Sequence, residues 1–358
     1  MPEMQIEDWA GKTVSRTWPG ALAAGIAAIK GDASGRRFWR ITLDGVASGA
    51  PHSAIAVDLG PDDVPLCARA LGCITEPVSE PLFINVHRFL KSIGAAVPDL
   101  YYQSLDERML LAEDLGTLSL FDAAIAATRR RAAELFRAAI DQLLIFHCDG
   151  TRRADSSCIA FKVAYDERLF RWELEHFVEF GLLAAGLAPA TAHLERELDR
   201  LAATLGALPR IFAHRDYHGR NLFVQDGAIR VIDFQDALMA PHAQDLAVLL
   251  TTRDTARTIK PPIEERLLNY YFASLERRGA KALNASEFMR SYWLCVLQHA
   301  LKVIGRFALL ERNGRDGYAR YIPDALEQAR RALARLDDFP ELGQAMNNGP
   351  RQPRIKYG

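Results

Sequence analysis

The sequence predicts an α+β protein with two lobes, a small N-terminal antiparallel sheet lobe followed by a larger, mostly helical lobe. Apolar and polar residues alternate in short segments before residue 112, which is typical of strands, whereas helical spacing dominates after Ser119. A chain of 358 residues is long enough for two lobes. We therefore expect an N-terminal lobe over residues 1–112, a C-terminal lobe over 113–346 and a flexible tail, rich in Gly, Pro and Arg, over 347–358.

The first lobe is predicted from four strand patterns and one helix pattern. The helix ends at Gly94, a residue that commonly follows a helix, and Asp44-Gly45 supplies a turn after the first strand. The predicted strands cover 38–43, 53–58, 100–102 and 109–112, and the predicted helix covers 82–93.

The second lobe is predicted to be helical, with one interruption. Asp226-Gly227 separates two short apolar strands and is a dipeptide favoured in tight hairpin turns. After Asp245 the pattern is helical almost to Phe339. The other predicted elements are helices over 124–148 and 166–180 and the hairpin strands 221–225 and 228–232.

Composition excludes several classes of protein. The formal net charge is -1, so the basic excess of a nucleic-acid binder is absent from the composition. The apolar runs are interrupted by charges well before the ~18 residues that a membrane span needs, and the acidic first residues do not match a signal peptide. Five cysteines without CxxC spacing predict reduced thiols. We expect a cytoplasmic protein that binds neither nucleic acid nor membrane; its oligomeric state is left open.

The most specific motif is HRDYHGRN at residues 214–221. It fits the pattern H-R-D-x-x-x-x-N of a kinase catalytic loop, in which the aspartate faces the attacking hydroxyl and the asparagine binds Mg²⁺. The pattern predicts Asp216 as the catalytic residue and Asn221 as a metal ligand. Asp233, at the end of the hairpin, takes the place of the metal-binding aspartate of D-F-G, although Gln235 stands where that motif has glycine.

The alternative is that the tripeptide occurs by chance and that Asp233 merely caps the hairpin. Two features favour the kinase interpretation. The asparagine has the required spacing, and the motif lies between predicted strands, as this loop does in kinases.

Residues 31–37, GDASGRR, precede the first clear strand. Small residues between two strands let backbone N–H groups approach phosphate oxygens, so Ser34 and Gly35 are predicted to cover the phosphates of a nucleotide. Arg36 and Arg37 would add positive charge there. The alternative for the two arginines is an exposed strand edge.

Glu113 and Leu115 follow a predicted strand and precede Gly116. In a two-lobe kinase this position is the hinge, where backbone groups pair with adenine. A plain strand end would have the same sequence, so this assignment depends on position alone.

Four more residues are candidates. His218 lies inside the catalytic loop and Asp236 closely follows Asp233, so both are predicted to contact substrate. Glu173 is expected on an exposed helix face, with substrate contact as the alternative. Asp245 begins an apolar helix and is either its N-cap or a brace beneath the catalytic loop.

Together, these motifs resemble the aminoglycoside/choline phosphotransferase family, the small-molecule branch of the protein-kinase-like fold. The resemblance extends from Gly31 to about Leu342. Within the family the chain is similar to bacterial kinases that phosphorylate N-acetylmuramate and N-acetylglucosamine at C1 during cell-wall recycling. The segments that carry this likeness are residues 31–34 with 36–38, 214–222, 231–237 (VIDFQDA), 298–307 (QHALKVIGRF) and 315–318 (RDGY). The resemblance implies ATP and Mg²⁺ as cofactors and a sugar as the substrate.

The sequence departs from the pattern of protein kinases at two points. The strand 53–58 has no lysine where kinases place the residue that grips the phosphates, and Arg36 or Arg37 is our candidate replacement. The segment between Asp233 and Asp245 is too short for the activation loop that binds a peptide, so the acceptor is expected to be small.

Two other functions are kept as alternatives. An aminoglycoside or amino-alcohol kinase would use the same chemistry, but the sequence near the catalytic loop lacks the acidic cluster that a polycationic acceptor normally requires. A nucleotide-binding pseudokinase is disfavoured because Asp216, Asn221 and Asp233 are all present.

Overall fold

A computed structural model describes residues 3–29, 35–45, 50–60, 71, 80–252, 255–280 and 283–348. Within these residues a five-stranded antiparallel sheet comes first and a mostly helical region follows, which confirms the predicted fold class. The sheet is built from β1 (Leu22–Ile29), β2 (Arg37–Asp44), β3 (Ser53–Asp58), β4 (Leu100–Ser104) and β5 (Met109–Glu113), in the spatial order β1-β2-β3-β5-β4.

Two elements before residue 30 were not predicted, helix α1 (Glu3–Thr17) and strand β1. In α1, Ile6, Trp9 and Val14 are buried and belong to one apolar cluster with Trp39 and Ile41 of the sheet. Their helical spacing is visible in the sequence. Strand β1 consists mostly of Ala and Gly, which are uncommon in strands, and it pairs at the sheet edge.

Helix α2 (Leu82–Ser92) follows the predicted pattern and ends before Gly94, whose φ of 79° favours glycine. Its apolar face packs on the helical region. The ring of Phe89 lies 5.2 Å from that of Phe161 and 5.0 Å from that of Phe212. One apolar core therefore runs from α2 into the helical region, and the predicted division at residue 112 stays a prediction.

Helices make up most of the second region. They are α3 (Leu120–Ala126), α4 (Arg129–Leu144), α5 (Glu167–His176), α6 (Leu182–Ala184), α7 (Ala192–Gly206), α8 (Gln244–Thr251), α9 (Thr255–Thr258), α10 (Pro261–Arg277), α11 (Ala285–Arg312), α12 (Ile322–Leu333) and α13 (Pro340–Asn348). One π-helical segment, Ile145–Gly150, extends α4, and a second, Phe177–Gly181, extends α5. Single 3₁₀ turns lie at Ile159–Lys162 and Ala319–Tyr321.

The prediction of one helix over 124–148 is wrong. Helix α3 ends at Ala126, and Thr128 caps the start of α4 because its hydroxyl accepts a hydrogen bond from the Arg131 amide. Threonine at an N-cap favours a helix start over a helix interior. At the other end of the region, α13 extends to Asn348, two residues into the predicted tail, and 349–358 lie outside the described residues.

The predicted hairpin is confirmed as β7 (Leu222–Gln225) and β8 (Ala228–Val231). Asp226 and Gly227 have φ values of 51° and 82°, as a tight two-residue turn requires. A second pair, β6 (Arg210–Ala213) with β9 (Leu238–Pro241), was not predicted. Because its two four-residue strands are far apart in sequence, no local turn indicates the pairing.

Helix α11 corrects the expectation that no segment is long and apolar enough to cross a membrane. It is the one described helix whose length and composition allow a span, and 72% of its apolar stretch is buried inside the protein. That burial is typical of a core helix. Gly305 of α11 lies against the π-helical segment after α5, where an added Cβ would be 2.3 Å from the backbone of His176 and Phe177.

We predict that Gly305→Ala lowers the free energy of unfolding by about 2–3 kcal/mol, because backbone must move to admit the methyl group. The control is Gly343→Ala in α13, where the added Cβ has no atom within 4 Å; this variant should be neutral or slightly stabilising, by up to ~1 kcal/mol. Urea unfolding measures both. Equal stability of the two variants would contradict the close approach of these helices.

Candidate active site

The loop of residues 214–221 joins β6 to β7 and is closed by its own hydrogen bonds. The backbone carbonyl of Asp216 accepts from the amide of His218 at 3.0 Å and from the side-chain Nδ2 of Asn221 at 3.0 Å. The amide of Asn221 in turn donates to the carbonyl of His218 at 2.9 Å. The motif spacing therefore brings the Asn221 side chain back to the Asp216 backbone.

Asp245 holds this loop from beneath. Its Oδ2 accepts the amide of His214 at 2.6 Å and its Oδ1 accepts that of Arg215 at 2.8 Å. Arg215 has a φ of 79°, a strained value for a residue other than glycine, so the loop needs such support. The N-cap of α8 is Ala243, so the N-cap interpretation of Asp245 is wrong and the brace is confirmed.

A buried hydrogen-bonded chain continues behind Asp245. His147 Nε2 lies 3.2 Å from Asp245 Oδ2, and His147 Nδ1 lies 2.5 Å from the hydroxyl of Tyr271. That hydroxyl donates to the carbonyl of His242 at 3.0 Å. The chain links α10 and the π-helical segment after α4 to the catalytic loop. His147 is not among the candidate residues that the sequence motifs indicate.

Asp233 follows β8 and faces Asn221. It has a φ of 63°, and its Oδ2 lies 3.4 Å from Asn221 Nδ2. The Gln235 side chain donates to Asp233 Oδ1 and Asp236 Oδ2, each at 3.1 Å. The three residues of the motif, Asp216, Asn221 and Asp233, are therefore brought together as the sequence predicts.

The two predicted phosphate-binding arginines have different positions. Arg36 reaches into the site, where it donates to Asp233 Oδ1 at 2.6 Å and to Gln235 Oε1 at 2.7 Å. Arg37 donates to Asp58 on the adjacent strand at 2.6 Å, and its side chain is 52% exposed. Arg37 is thus exposed, as the alternative expected, but it lies at the end of an interior strand and not on an edge strand.

Only part of the predicted phosphate-covering segment lies within the described residues. Gly35 is described and Ser34 is not. The Gly35 carbonyl lies against Gly60, where an added Cβ would be 2.9 Å from that oxygen and where φ is 67°. A side chain at residue 60 would therefore push this segment away from β3.

Glu173 is buried, so the expectation of an exposed helix face is wrong. It is 3% exposed, and its Oε1 lies 3.2 Å from Lys302 Nζ and 3.2 Å from Arg215 Nη2. Its other oxygen accepts from the hydroxyl of Tyr165 and from Gln298 Nε2. Glu173 therefore binds two cations beside the catalytic loop.

These cations determine the ionisation of Asp216. Burial alone raises the pKa of Asp216, but the positive charges of Lys302 and Arg215 outweigh it, so the net pKa lies below the ordinary value. Lys302 Nζ is 4.0 Å from Asp216 Oδ1, and the Asp216 side chain is 42% exposed. Asp216 is therefore an ionised, accessible carboxylate.

Asp236 behaves differently from Asp216. Burial raises its pKa, and although the charge of Arg215 lowers it, the like charges of Asp216 and Asp233 add to the increase. His218 is half-buried, and its Nδ1 accepts a hydrogen bond from the Arg220 amide at 3.3 Å. Both predicted substrate contacts are thus close to Asp216, and their role stays a prediction.

The predicted hinge is a junction between the sheet and the hairpin. Glu113 accepts two hydrogen bonds from Arg230 of β8, one of them at 2.9 Å. Its amide donates to the carbonyl of Asp99 at 2.8 Å, so that amide is already used. Leu115 is buried. Pairing of this segment with adenine stays a prediction.

Sequence reasoning missed Lys302 and Arg230. Lys302 carried a signal, since it lies in the segment 298–307 that carries the family resemblance. Arg230 lies on a strand of alternating polarity and had no distinguishing signal, because its partner Glu113 is far away in the sequence.

The residues around Asp233 fit a magnesium ion. Mg²⁺ usually binds one or two carboxylates together with substrate phosphates and waters. Asp233 supplies a carboxylate and Asn221 an amide oxygen, and both are partly exposed. Within the described residues no group of three His, Cys, Asp or Glu side chains could hold a metal ion by itself. A magnesium ion here would therefore depend on the phosphates.

The family assignment comes from comparison with known proteins. A model described as "Phosphotransferase enzyme family" matches residues 25–283. The chain belongs to this family. The resemblance inferred from the motifs and the prediction of a phosphotransferase that acts on a hydroxyl group are both confirmed.

The similar proteins carry the name of a sugar kinase. The chain is 30% identical over 343 residues to an N-acetylmuramate/N-acetylglucosamine kinase of Pseudomonas aeruginosa, a match that covers 94% of this chain and 92% of that one. It is 30% identical over 314 residues to the kinase of the same name from Caulobacter vibrioides, covering 82% and 84%.

Solved structures with this fold include a choline kinase of Streptococcus pneumoniae, with a TM-score of 0.57, 14% identity and coverage of 93% of this chain and 100% of that one. They also include the aminoglycoside phosphotransferase APH(2'')-Ib in its ADP-bound form, with a TM-score of 0.54, 13% identity and coverage of 93% and 99%. At these identities the likeness concerns the fold.

We predict that Arg36→Gln raises the KM for ATP about tenfold or more, because a charged hydrogen bond to a phosphate contributes roughly 1.5–3 kcal/mol. Arg37→Gln, the matched control, should change this KM by less than about twofold, since Arg37 pairs with Asp58 away from the site. Steady-state kinetics with varied ATP measures both. Equal effects of the two substitutions would contradict the separate positions of the arginines.

Proposed function

We propose that this phosphotransferase uses Mg-ATP to phosphorylate the anomeric hydroxyl of N-acetylmuramate or N-acetylglucosamine in cell-wall recycling. The observation that carries the proposal is an ionised, accessible Asp216 beside the Asn221–Asp233 pair, in a chain 30% identical to N-acetylmuramate/N-acetylglucosamine kinases over 94% of its length. We also propose a cytoplasmic location, where ATP is available.

Asp216 acts on the acceptor. Its free carboxylate oxygens orient the anomeric hydroxyl for attack in line with the leaving group. The oxygen–phosphorus bond to the γ-phosphoryl group forms as the bond to the β,γ-bridging oxygen breaks, ADP leaves, and the hydroxyl proton passes to Asp216. An anomeric hydroxyl is more acidic than an ordinary alcohol, so a carboxylate with a low pKa is sufficient as its acceptor.

Asn221 and Asp233 act on the nucleotide side. Their oxygens would hold Mg²⁺, which neutralises charge on the β- and γ-phosphates. Arg36 reaches the same carboxylate from the sheet and supplies the positive charge that the missing strand lysine would provide. Ser34 and Gly35 would cover the phosphates.

Adenine would lie against the junction between the lobes. Glu113 and Leu115 line this position in the proposal. The carbonyl groups there are better candidates than the Glu113 amide, which already donates to Asp99.

The acceptor pocket would lie on the Lys302 side of Asp216. His218 and Asp236 border the carboxylate and are proposed to hydrogen-bond the sugar. Glu173 is too deeply buried to lie at the pocket surface, so we assign it the role of positioning Lys302 and Arg215. With two cations beside it, this pocket suits an acceptor without positive charge better than an aminoglycoside.

We predict that Asp216→Asn preserves the fold and lowers kcat by about a hundredfold or more, the usual scale for a positioned general base. Asp122→Asn is the control, since Asp122 is exposed and only contacts the cap of α3; it should retain wild-type kcat. Coupled ADP release gives both rates, and circular dichroism verifies folding. An Asp216→Asn enzyme within twofold of wild type would remove Asp216 from this role.

The acceptor position is tested with blocked sugars. The methyl glycoside of N-acetylglucosamine should not be turned over, whereas the 6-deoxy sugar should react at nearly the rate of the parent sugar. A site that hydrogen-bonds a substrate group rejects analogues without that group strongly, so glucosamine lacking the acetyl group should also react slowly. Phosphorus NMR should identify an acid-labile 1-phosphate.

If the methyl glycoside reacts as fast as the free sugar, the anomeric hydroxyl is not the acceptor. An ATP-consumption screen that includes aminoglycosides and choline then identifies the alternative acceptor class. Asp216, Asn221 and Asp233 would keep their roles in that case, because those roles concern phosphoryl transfer.

A further inference from the structure

A second concave site lies on the surface between α4 and α10. It is a groove of about 650 Å³ at the start of both helices. Its lining residues are Arg129, Arg130, Ala133, Glu134, Arg137, Lys260, Pro262, Ile263, Arg266, Leu267 and Tyr270. None of these residues takes part in the catalytic loop or the Asp233 region described above.

The groove is strongly basic. Five of its lining residues are Arg or Lys, and its one lining carboxylate, Glu134, is already paired with Arg130 at 3.1 Å. In the part of the chain that the structure describes, Arg129 and Arg266 form no ion pair with a carboxylate. Like charges held together without counter-charge repel one another, so an anion bound here would relieve that repulsion.

The backbone adds to the positive potential. Helix α4 begins at Arg129 and α10 begins at Pro261, so the positive ends of both helix dipoles lie at the groove. The floor is apolar, formed by Ala133, Ile263 and Leu267. The site thus combines a cationic rim with an apolar base.

Tyr270 closes one end of the groove. The guanidinium of Arg137 lies 4.3 Å from the centre of its ring, and its hydroxyl donates to Asp141. The cation–π contact holds Arg137 against Tyr270, another residue that lines the groove. The bond to the Tyr270 hydroxyl uses one oxygen of Asp141.

The dimensions favour a small ligand. Residues 129–137 of α4 span about 12 Å at 1.5 Å per residue. The groove volume of 650 Å³ is within the range of roughly 300–1,000 Å³ found for small-molecule pockets. A stable protein interface instead needs a surface of about 800 Å² on each partner, which favours a small ligand for a groove of this length. We propose that this groove binds a small anion carrying two or more phosphate groups, separately from the active site.

The groove is joined to the catalytic loop by direct contacts. Tyr271, the neighbour of Tyr270, points into the core and bonds His147. His147 in turn contacts Asp245, which holds the amides of His214 and Arg215. Binding at the groove therefore acts on the same two helices that support the catalytic loop.

The test uses inorganic pyrophosphate as the probe and isothermal titration calorimetry as the measurement. The titration contains neither ADP nor Mg²⁺, because ADP carries two phosphate groups and would itself occupy the groove, and because Mg²⁺ binds pyrophosphate. Without Mg²⁺ the nucleotide site lacks the ion on which its hold on phosphates depends. Wild-type protein should bind pyrophosphate with a stoichiometry of one. The double variant Arg129→Glu, Arg266→Glu should bind at least about tenfold more weakly, because two attractive charges become repulsive.

The matched control is Arg196→Glu, Arg315→Glu, which reverses two exposed arginines outside the groove. It should keep wild-type affinity for pyrophosphate. Thermal unfolding shows whether each variant is folded. If the Arg129→Glu, Arg266→Glu variant is unstable, the milder double variant Arg129→Gln, Arg266→Gln takes its place. Basal kcat should be unchanged in all three double variants.

Three results would overturn the proposal. They are the lack of saturable binding to the wild type, equal affinity of the groove variant and the wild type, and equal losses in the groove and control variants. Binding of an acidic peptide such as polyaspartate through Arg129 and Arg266, without binding of pyrophosphate, would identify a protein-docking surface instead. Because the readout is pyrophosphate binding, none of these results depends on the identity of the sugar acceptor.

Discussion

Asp245 accepts hydrogen bonds from the amides of two consecutive residues, His214 and Arg215, and is completely buried. A buried carboxylate is stable only when its oxygens are satisfied, and here both are. The pair of bonds holds Arg215 at a positive φ, and this turn in the chain directs Asp216 toward the cleft. The position of the Asp216 carboxylate thus depends on a residue that has no part in the proposed chemistry.

A second buried carboxylate sets the charge of the site. Glu173 would be costly to bury alone, but Lys302 and Arg215 neutralise it and keep their own positive charge close to Asp216. The low pKa of Asp216 follows from this arrangement. Asp236, with carboxylates as neighbours, has a raised pKa instead. The surroundings of these two aspartates thus shift their pKa values in opposite directions.

Two arginine–carboxylate pairs connect the sheet to the hairpin. Arg36 bonds Asp233, and Arg230 bonds Glu113. Both pairs are partly buried, so solvent screens them less than it screens the exposed pair of Arg37 with Asp58. Any change in the angle between the lobes alters these contacts directly. A movement of the sheet therefore changes the hydrogen bond that Arg36 donates to the Asp233 carboxylate.

The fold class, the hairpin and the loop of residues 214–221 could be predicted from the amino-acid sequence, because they depend on local periodicity, turn residues and a short motif of fixed spacing. The folded structure was needed to show that Arg36 enters the site while Arg37 does not, and that Glu173 is buried beside Lys302. Consecutive residues of an extended segment point in opposite directions, so Arg36, just before β2, and Arg37, its first residue, meet different partners. Those partners, like the elements that bury a helix face, come from distant parts of the chain.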